Sequence, residues 1–303
     1  SELFEKGVIT TDDTGGVPLE WGNREALNRI LDQIAQNEGF GAVLAATPEA
    51  AAQKLGDNIE PALNVKGTPI GETNIMNFRA RAMGAAVNPR GSDEYRARAG
   101  SFDNLGTGSG SKLTAMASSE SWEAKTAMAI VEKAVAQKRE REGEAAQITQ
   151  FDCESRGELA ALANRMISIT DSVGQCKWNT VFLNVGIGIE LQAEALSAGM
   201  GRAITADDLI DTASRIATQE RAFAVREGLS RDHDTLPKKL INYQMPGTWP
   251  EDKIDLDGLE RMKSDYYKAM AWDAESGVPT RETLEGVGLP DVVSDLEKMG
   301  KLP

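Results

Sequence analysis

The sequence contains no apolar run approaching the roughly 20 residues that a membrane-spanning helix needs. Its apolar stretches, at 42–46, 181–183 and 185–189, are short or broken by Asn and Gly, so no membrane partner is expected. A secretory opening is also lacking. Ser1-Glu2-Leu3-Phe4-Glu5-Lys6 is a short amphipathic stretch with neither a basic segment nor a long apolar core. Positive charge is in deficit, with a formal net charge of −14 and a pI near 4.7. Sequence-independent binding of DNA or RNA needs a positive field to displace counterions, so no nucleic-acid partner is expected. The run Lys138-Arg139-Glu140-Arg141 interleaves its cations with an acid and reads as a solvated helix face. Cysteine is scarce, with Cys153 and Cys176 alone among 303 residues. Two thiols in a large chain without a secretory signal suggest a reducing compartment, and a cytoplasmic protein is expected. The one histidine, His233, falls in a late polar segment and reads as an exposed loop imidazole. Alternating strand patterns are few, and no internal repeat is visible.

Helical periodicity fills most of the rest. Leu27, Ile30, Leu31 and Ile34 recur at helical spacing after a possible Asn23 cap, with Gly39 beyond the end. Thr47-Pro48-Glu49 opens a second helix with a cap and a first-position proline, and Gly56 stops it. A long helix is expected from about Glu120 to Glu142, and another from about Arg156 towards Ile169. Thr205 with Asp208 resembles a capping box, followed by the stripe Leu209, Ala213, Ile216, Ala217 and Phe223. Leu259, Met262, Tyr266 and Met270 mark a later helix, Thr280 caps a short one, and Pro290 opens the last. Residues 105–121 are Gly- and Ser-rich and read as a flexible loop. Gly106, Gly108 and Gly110 follow no strand, which argues against a nucleotide-binding glycine loop. A polar stretch at about 230–257 carries Pro237, Pro246 and Pro250. The expected fold is mostly α, multihelical and two-lobed, with a break near residue 65.

The chemistry concentrates in Thr170-Asp171-Ser172-Val173-Gly174-Gln175-Cys176-Lys177-Trp178, where an amphipathic helix ends at a glycine. Gly174 allows close backbone approach. A carboxylate can accept hydrogen bonds from an amino-bearing heterocycle, and a thiolate can bind iron. Asp-Ser is equally an ordinary helix-terminus pair, so local physics leaves both readings open.

This segment resembles the Asp-x-x-Gly-Leu-Cys motif of the aldehyde:ferredoxin oxidoreductase family, and the likeness runs along the chain in order. Leu3-Phe4-Glu5-Lys6-Gly7, Trp21-Gly22-Asn23 and Glu38-Gly39-Phe40-Gly41 are similar to the family's middle helical domain. Met83-Gly84-Ala85-Ala86 and Asn88-Pro89-Arg90-Gly91 resemble the strip that crosses its active site. Glu220-Arg221-Ala222-Phe223, Asp234-Thr235-Leu236-Pro237, Tyr266-Tyr267, Trp272-Asp273 and Gly277-Val278-Pro279 match towards the C-terminus. The resemblance implies two lobes equivalent to the family's second and third domains, with residues 1–65 in the former and 66–303 in the latter. It implies a tungsten (or molybdenum) bis-pyranopterin and a 4Fe–4S cluster. Asp171, with Gly174 and Gln175, would sit at the pterin, and Cys176 would be the last cluster ligand. Arg96 falls where the family uses a basic residue at the pterin. Glu94 stands where relatives carry a proton-transferring His, and a buried carboxylate can take that role.

The family's N-terminal sheet domain, with three further cluster cysteines and a first pterin Asp, has no counterpart in this sequence. The chain is therefore expected to work with the N-terminal half of the same enzyme or a complementary subunit. The implied reaction oxidises a small-molecule aldehyde to a carboxylic acid, with electrons leaving to ferredoxin or an iron–sulfur subunit. Gly174-Gln175-Cys176 also looks like the ending of this motif in the tungsten subunit of class II benzoyl-CoA reductases, which makes aryl-CoA reduction the alternative chemistry. A helical remnant or assembly subunit that binds no metal is the non-enzymatic alternative.

Overall fold

The computed structural model describes residues 1–56, 59, 62–71, 75, 78–93, 96, 99, 102–103, 121–149, 151–180, 187–241 and 253–303. The expected loop at 105–121 therefore lies outside the described residues, save Ser121, as does Glu94. The chain separates into two compact units, Ser1–Ile70 and Gly71–Pro303.

The first unit contains α1 (Glu2–Glu5), α2 (Arg24–Gln36), α3 (Gly41–Leu44) and α4 (Pro48–Leu55). A hairpin of β1 (Asn64–Val65) and β2 (Thr68–Pro69) closes it, antiparallel, with Val65 opposite Thr68. The caps are those the sequence predicts. Asn23 accepts from the Ala26 N–H at 3.0 Å, and Thr47 accepts from Ala50 at 3.3 Å. The core joins Ile9, Val17, Ala26, Ile30 and Phe40. Leu27 and Leu31, expected on the buried stripe of α2, are 57% and 53% exposed. The buried arc instead runs through Ala26 and Ile30, because the residues that cover α2 from within this unit reach only that side.

The second unit is built around α7 (Arg156–Ser172), which follows α5 (Arg79–Val87) and α6 (Trp122–Glu142). After it come α8 (Ile189–Met200), α9 (Ala206–Arg226), α10 (Leu256–Ala269), α11 (Arg281–Gly286) and α12 (Pro290–Lys298). Helix α7 packs on α10, α9 and α5, and thirteen of its seventeen residues are buried. Its approach to α10 depends on Gly157, where a Cβ would lie 2.3 Å from the Met262 carbonyl oxygen. Helix α5 has no periodic stripe because all nine of its residues are buried. Its N-terminus is capped from a distance. Asp103 accepts from the backbone N–H groups of Ala80 and Arg81 at 2.6 and 3.1 Å. Burial pushes the Asp103 carboxyl up to about 6, against the opposing pull of Arg156 and of those two N–H groups.

Several motifs that carry the family resemblance form a buried polar cluster beside α9. Arg221 pairs with Asp234 at 2.8 Å and donates to the Gly277 carbonyl at 2.8 Å. Tyr267 donates its hydroxyl to Asp234 at 2.5 Å, and the Trp272 indole N–H reaches Thr218 at 3.3 Å. The Arg221 guanidinium also lies over the Tyr267 ring, 5.5 Å from its centroid. Such a pair is costly in a dry interior unless further hydrogen bonds support it, and here Arg221 Nε donates to Gly277 while Asp234 Oδ2 also accepts from Tyr267. Among the described residues no helix is long and apolar enough to cross a membrane.

Candidate functional site

Helix α7 runs one turn beyond the expected end near Ile169, so Asp171 is helical and not part of the turn that follows. The stop is Gly174. At φ +70° it takes the left-handed conformation that glycine adopts without penalty. Its N–H reaches the Asp171 carbonyl at 3.3 Å, while the Gln175 N–H reaches Thr170 at 3.1 Å. This pair of bonds is the Schellman arrangement, which satisfies carbonyls that a helix end would otherwise leave open. The chain then turns outward, and the Asn179 N–H closes a further turn on the Cys176 carbonyl at 3.0 Å.

The turn presents its functional groups to solvent. Cys176 is an exposed free thiol, and the Asp171 side chain is 43% exposed. Lys177, only 14% exposed, holds Asp171 Oδ1 at 2.7 Å. That cation offsets the cost of a carboxylate in the last turn of a helix, where the aligned peptide dipoles are negative. Behind the turn, Thr170 donates to the Met166 carbonyl at 3.0 Å and meets the Thr180 hydroxyl at 3.2 Å, which fixes the helix end against its continuation. Gln175 is half-buried, and its Oε1 is enclosed without a hydrogen-bond partner among the described residues.

Arg96 reaches the same helix. Its buried side chain donates to Ser168 Oγ at 2.9 Å, one turn before Asp171, and forms an ion pair with Glu220 of α9. Five of the six sequence-derived candidates thus attach to the last two turns of α7 or the turn after it. Glu94 lies outside the described residues, and Asp93 before it is paired to Arg90 at 2.5 Å. His233 lies apart in a single 3-10 turn, exposed, its Nδ1 accepting the Ser230 N–H at 3.1 Å. Lys177 and Glu220 stand in quoted motifs, but their pairing with Asp171 and Arg96 is a tertiary fact that no spacing reveals.

The profile described as aldehyde ferredoxin oxidoreductase, domains 2 and 3, matches residues 1–289. The chain belongs to this family. A tungsten-containing aldehyde ferredoxin oxidoreductase of Pyrococcus furiosus is 27% identical over 294 residues, 96% of this chain and 41% of the relative. The corresponding Thermococcus kodakarensis protein is 26% identical over 293 residues, again 96% and 41%. The chain therefore spans about two-fifths of the length of these relatives. The active site complex BamBC of benzoyl coenzyme A reductase, solved with 1,5 dienoyl-CoA, superposes with a TM-score of 0.69. It covers 99% of this chain and 44% of its own at 23% identity, which shows a shared fold.

The residues at this helix end have the chemistry for the groups that the sequence resemblance implies. A 4Fe–4S cluster takes four thiolates, and an exposed Cys176 can supply one. Among the described residues no three His, Cys, Asp or Glu side chains gather as a metal site. The enclosed Gln175 Oε1 and the Asp171 carboxylate are both acceptors, the complement of a heterocycle edge rich in N–H groups.

Proposed function

We propose that this chain is the C-terminal, cofactor-closing part of a tungsten- or molybdenum-pterin iron–sulfur oxidoreductase that converts an aldehyde to a carboxylic acid. The observation that carries the reading is an exposed carboxylate in the last turn of α7 and an exposed thiol just past its glycine stop, within a chain of this family. In this reading residues 1–65 belong to the family's middle helical domain and 66–303 to its C-terminal one. When bound, the metal–pterin centre supplies two-electron oxidation at the carbonyl carbon, and the cluster relays the electrons singly to ferredoxin or an iron–sulfur subunit.

This chain's own residues position and close that site. Asp171 accepts from the pterin edge, and Lys177 holds the carboxylate in place before the pterin arrives. Gln175 adds the second acceptor. Cys176 supplies one thiolate, the other three coming from the N-terminal half or a complementary subunit. Arg96, held by Glu220 and Ser168, places a fixed positive charge at the pterin periphery. Glu94 carries the proton released as water adds to the carbonyl.

Aryl-CoA reduction is the second reading, favoured by the Gly174-Gln175-Cys176 ending. The two are separated by tagging the chain in its native cells, isolating the assembly and assaying it with a viologen dye. Dye reduction by aldehydes, with no turnover of benzoyl-CoA, is expected. Turnover of benzoyl-CoA alone would replace this reading with the second.

A further inference from the structure

One face of α9 is not used by the core. Leu209, Ala213, Ala217, Ala222 and Val225 are buried, whereas Ile216, Gln219, Glu220, Phe223, Ala224 and Glu227 form a separate stripe at i, i+3, i+4, i+7, i+8 and i+11. That stripe lines a cavity of about 740 Å³, completed by Pro89, Arg90, the Gly228-Leu229 turn and His233. The volume lies within the roughly 300–1,000 Å³ usual for small-molecule sites. Phe223 is 58% exposed, although the Arg226 guanidinium stacks on its ring 4.6 Å from the centroid.

The charges around the cavity are already matched. Glu220 is paired with Arg96, Glu227 with Arg226 at 2.9 Å, and Arg90 with Asp93 at 2.5 Å. An ionic ligand would find no uncompensated partner and would meet two carboxylates, one on each side of Phe223 along the helix. His233 is different. Its Nδ1 accepts from the Ser230 backbone N–H, so the neutral ring carries its proton on Nε2 as a hydrogen-bond donor.

We propose that this cavity binds a neutral carbonyl compound with an aryl or alkyl body, packed on Phe223, Ile216 and Leu229, with the His233 Nε2–H donating to the carbonyl oxygen. The cavity borders Pro89-Arg90 and, through Glu220 and Arg96, is linked to Ser168 on the helix that carries Asp171. On the proposed function, the aldehyde is held there before it reaches the cofactor turn. This deepens the proposed function and rests on it for the choice of an aldehyde, while the binding itself needs no cofactor.

The test is ligand-observed NMR titration of the 303-residue chain with benzaldehyde, toluene and benzoate. Benzaldehyde is expected to bind saturably, several-fold more tightly than toluene, as one hydrogen bond allows, and at least about tenfold more tightly than benzoate, which meets the two carboxylates. His233→Ala should abolish the preference for benzaldehyde over toluene and leave toluene binding unchanged. Ala224→Trp fills the cavity and should weaken both at least tenfold, and Phe223→Ala, at an exposed position, should weaken both without disturbing the fold. Absence of saturable binding, benzoate binding as well as benzaldehyde, or unaltered binding to Phe223→Ala overturns the proposal. If binding fails while metal loading of the native assembly still depends on Cys176, the cavity assignment falls and the proposed function stands.

Discussion

Nothing around Asp103 in the sequence marks it as the cap of a helix that begins far upstream at Arg79, yet its carboxylate holds the Ala80 and Arg81 N–H groups of α5. Because its folded pKa, about 6, lies above the ordinary carboxylate value, the folded state binds the proton more tightly than the unfolded chain. The stability it contributes relative to an isosteric amide is full below about pH 4 and is lost as pH rises through about 6. Urea melts of the wild type and Asp103→Asn across pH 4 to 7 check this, with the gap moving in the variant's favour as pH rises. The two thiols make a second contrast. Cys176 is exposed, whereas burial raises the Cys153 thiol pKa. A disulfide reagent should therefore label Cys176 well ahead of Cys153 in the folded chain, as read by peptide mapping. Labelling in the opposite order contradicts the placement of the turn. Asp171 and Cys176 stand out in the sequence only through a motif that resembles the family's, since their local chemistry leaves the reading open. The ion pairs that hold Asp171 and Arg96 are not legible there, because each joins groups that only the fold brings together.

At the scale of elements, the sequence reveals a helix where one face is buried and the other is wet. Helices α2, α4, α9 and α10 are legible from stripe and cap, and the Thr205–Asp208 capping box forms as predicted. Helix α5 is not, since burial on every side erases the contrast that periodicity measures. The stripe read on α9 is half right. Leu209, Ala213 and Ala217 are core, while Phe223 faces the cavity and is exposed, because an apolar side chain can serve a ligand face as well as a core. Two glycines on α7 and its cap separate crowding from strain. A Cβ at Gly157 would meet backbone of α10 at 2.3 Å, so Gly157→Ala should cost about 3 kcal/mol or more through overpacking. At Gly174 nothing lies within 4 Å, and Gly174→Ala should cost only the left-handed strain of about 1–2 kcal/mol. Urea denaturation orders the two, and equal costs would show that α7 and α10 can separate without penalty.

For the whole molecule, the mostly helical architecture was legible from composition and periodicity, and family membership from motifs spread over most of the chain. The division of labour between those motifs was not. Arg221, Asp234, Tyr267 and Trp272 belong to a buried cluster that holds α9 and α10 together, whereas the Asp171–Cys176 turn faces outward, where a complementary segment can complete it. That difference gives the central claim its sharpest test. The assembly purified from native cells through the tagged chain should contain about four iron atoms with matching acid-labile sulfide per chain, together with tungsten or molybdenum. Cys176→Ser should cut the iron and sulfide content severely while the assembly and the fold of the chain persist. Iron and sulfide at wild-type levels in that variant would contradict the assignment of this turn as the cofactor face.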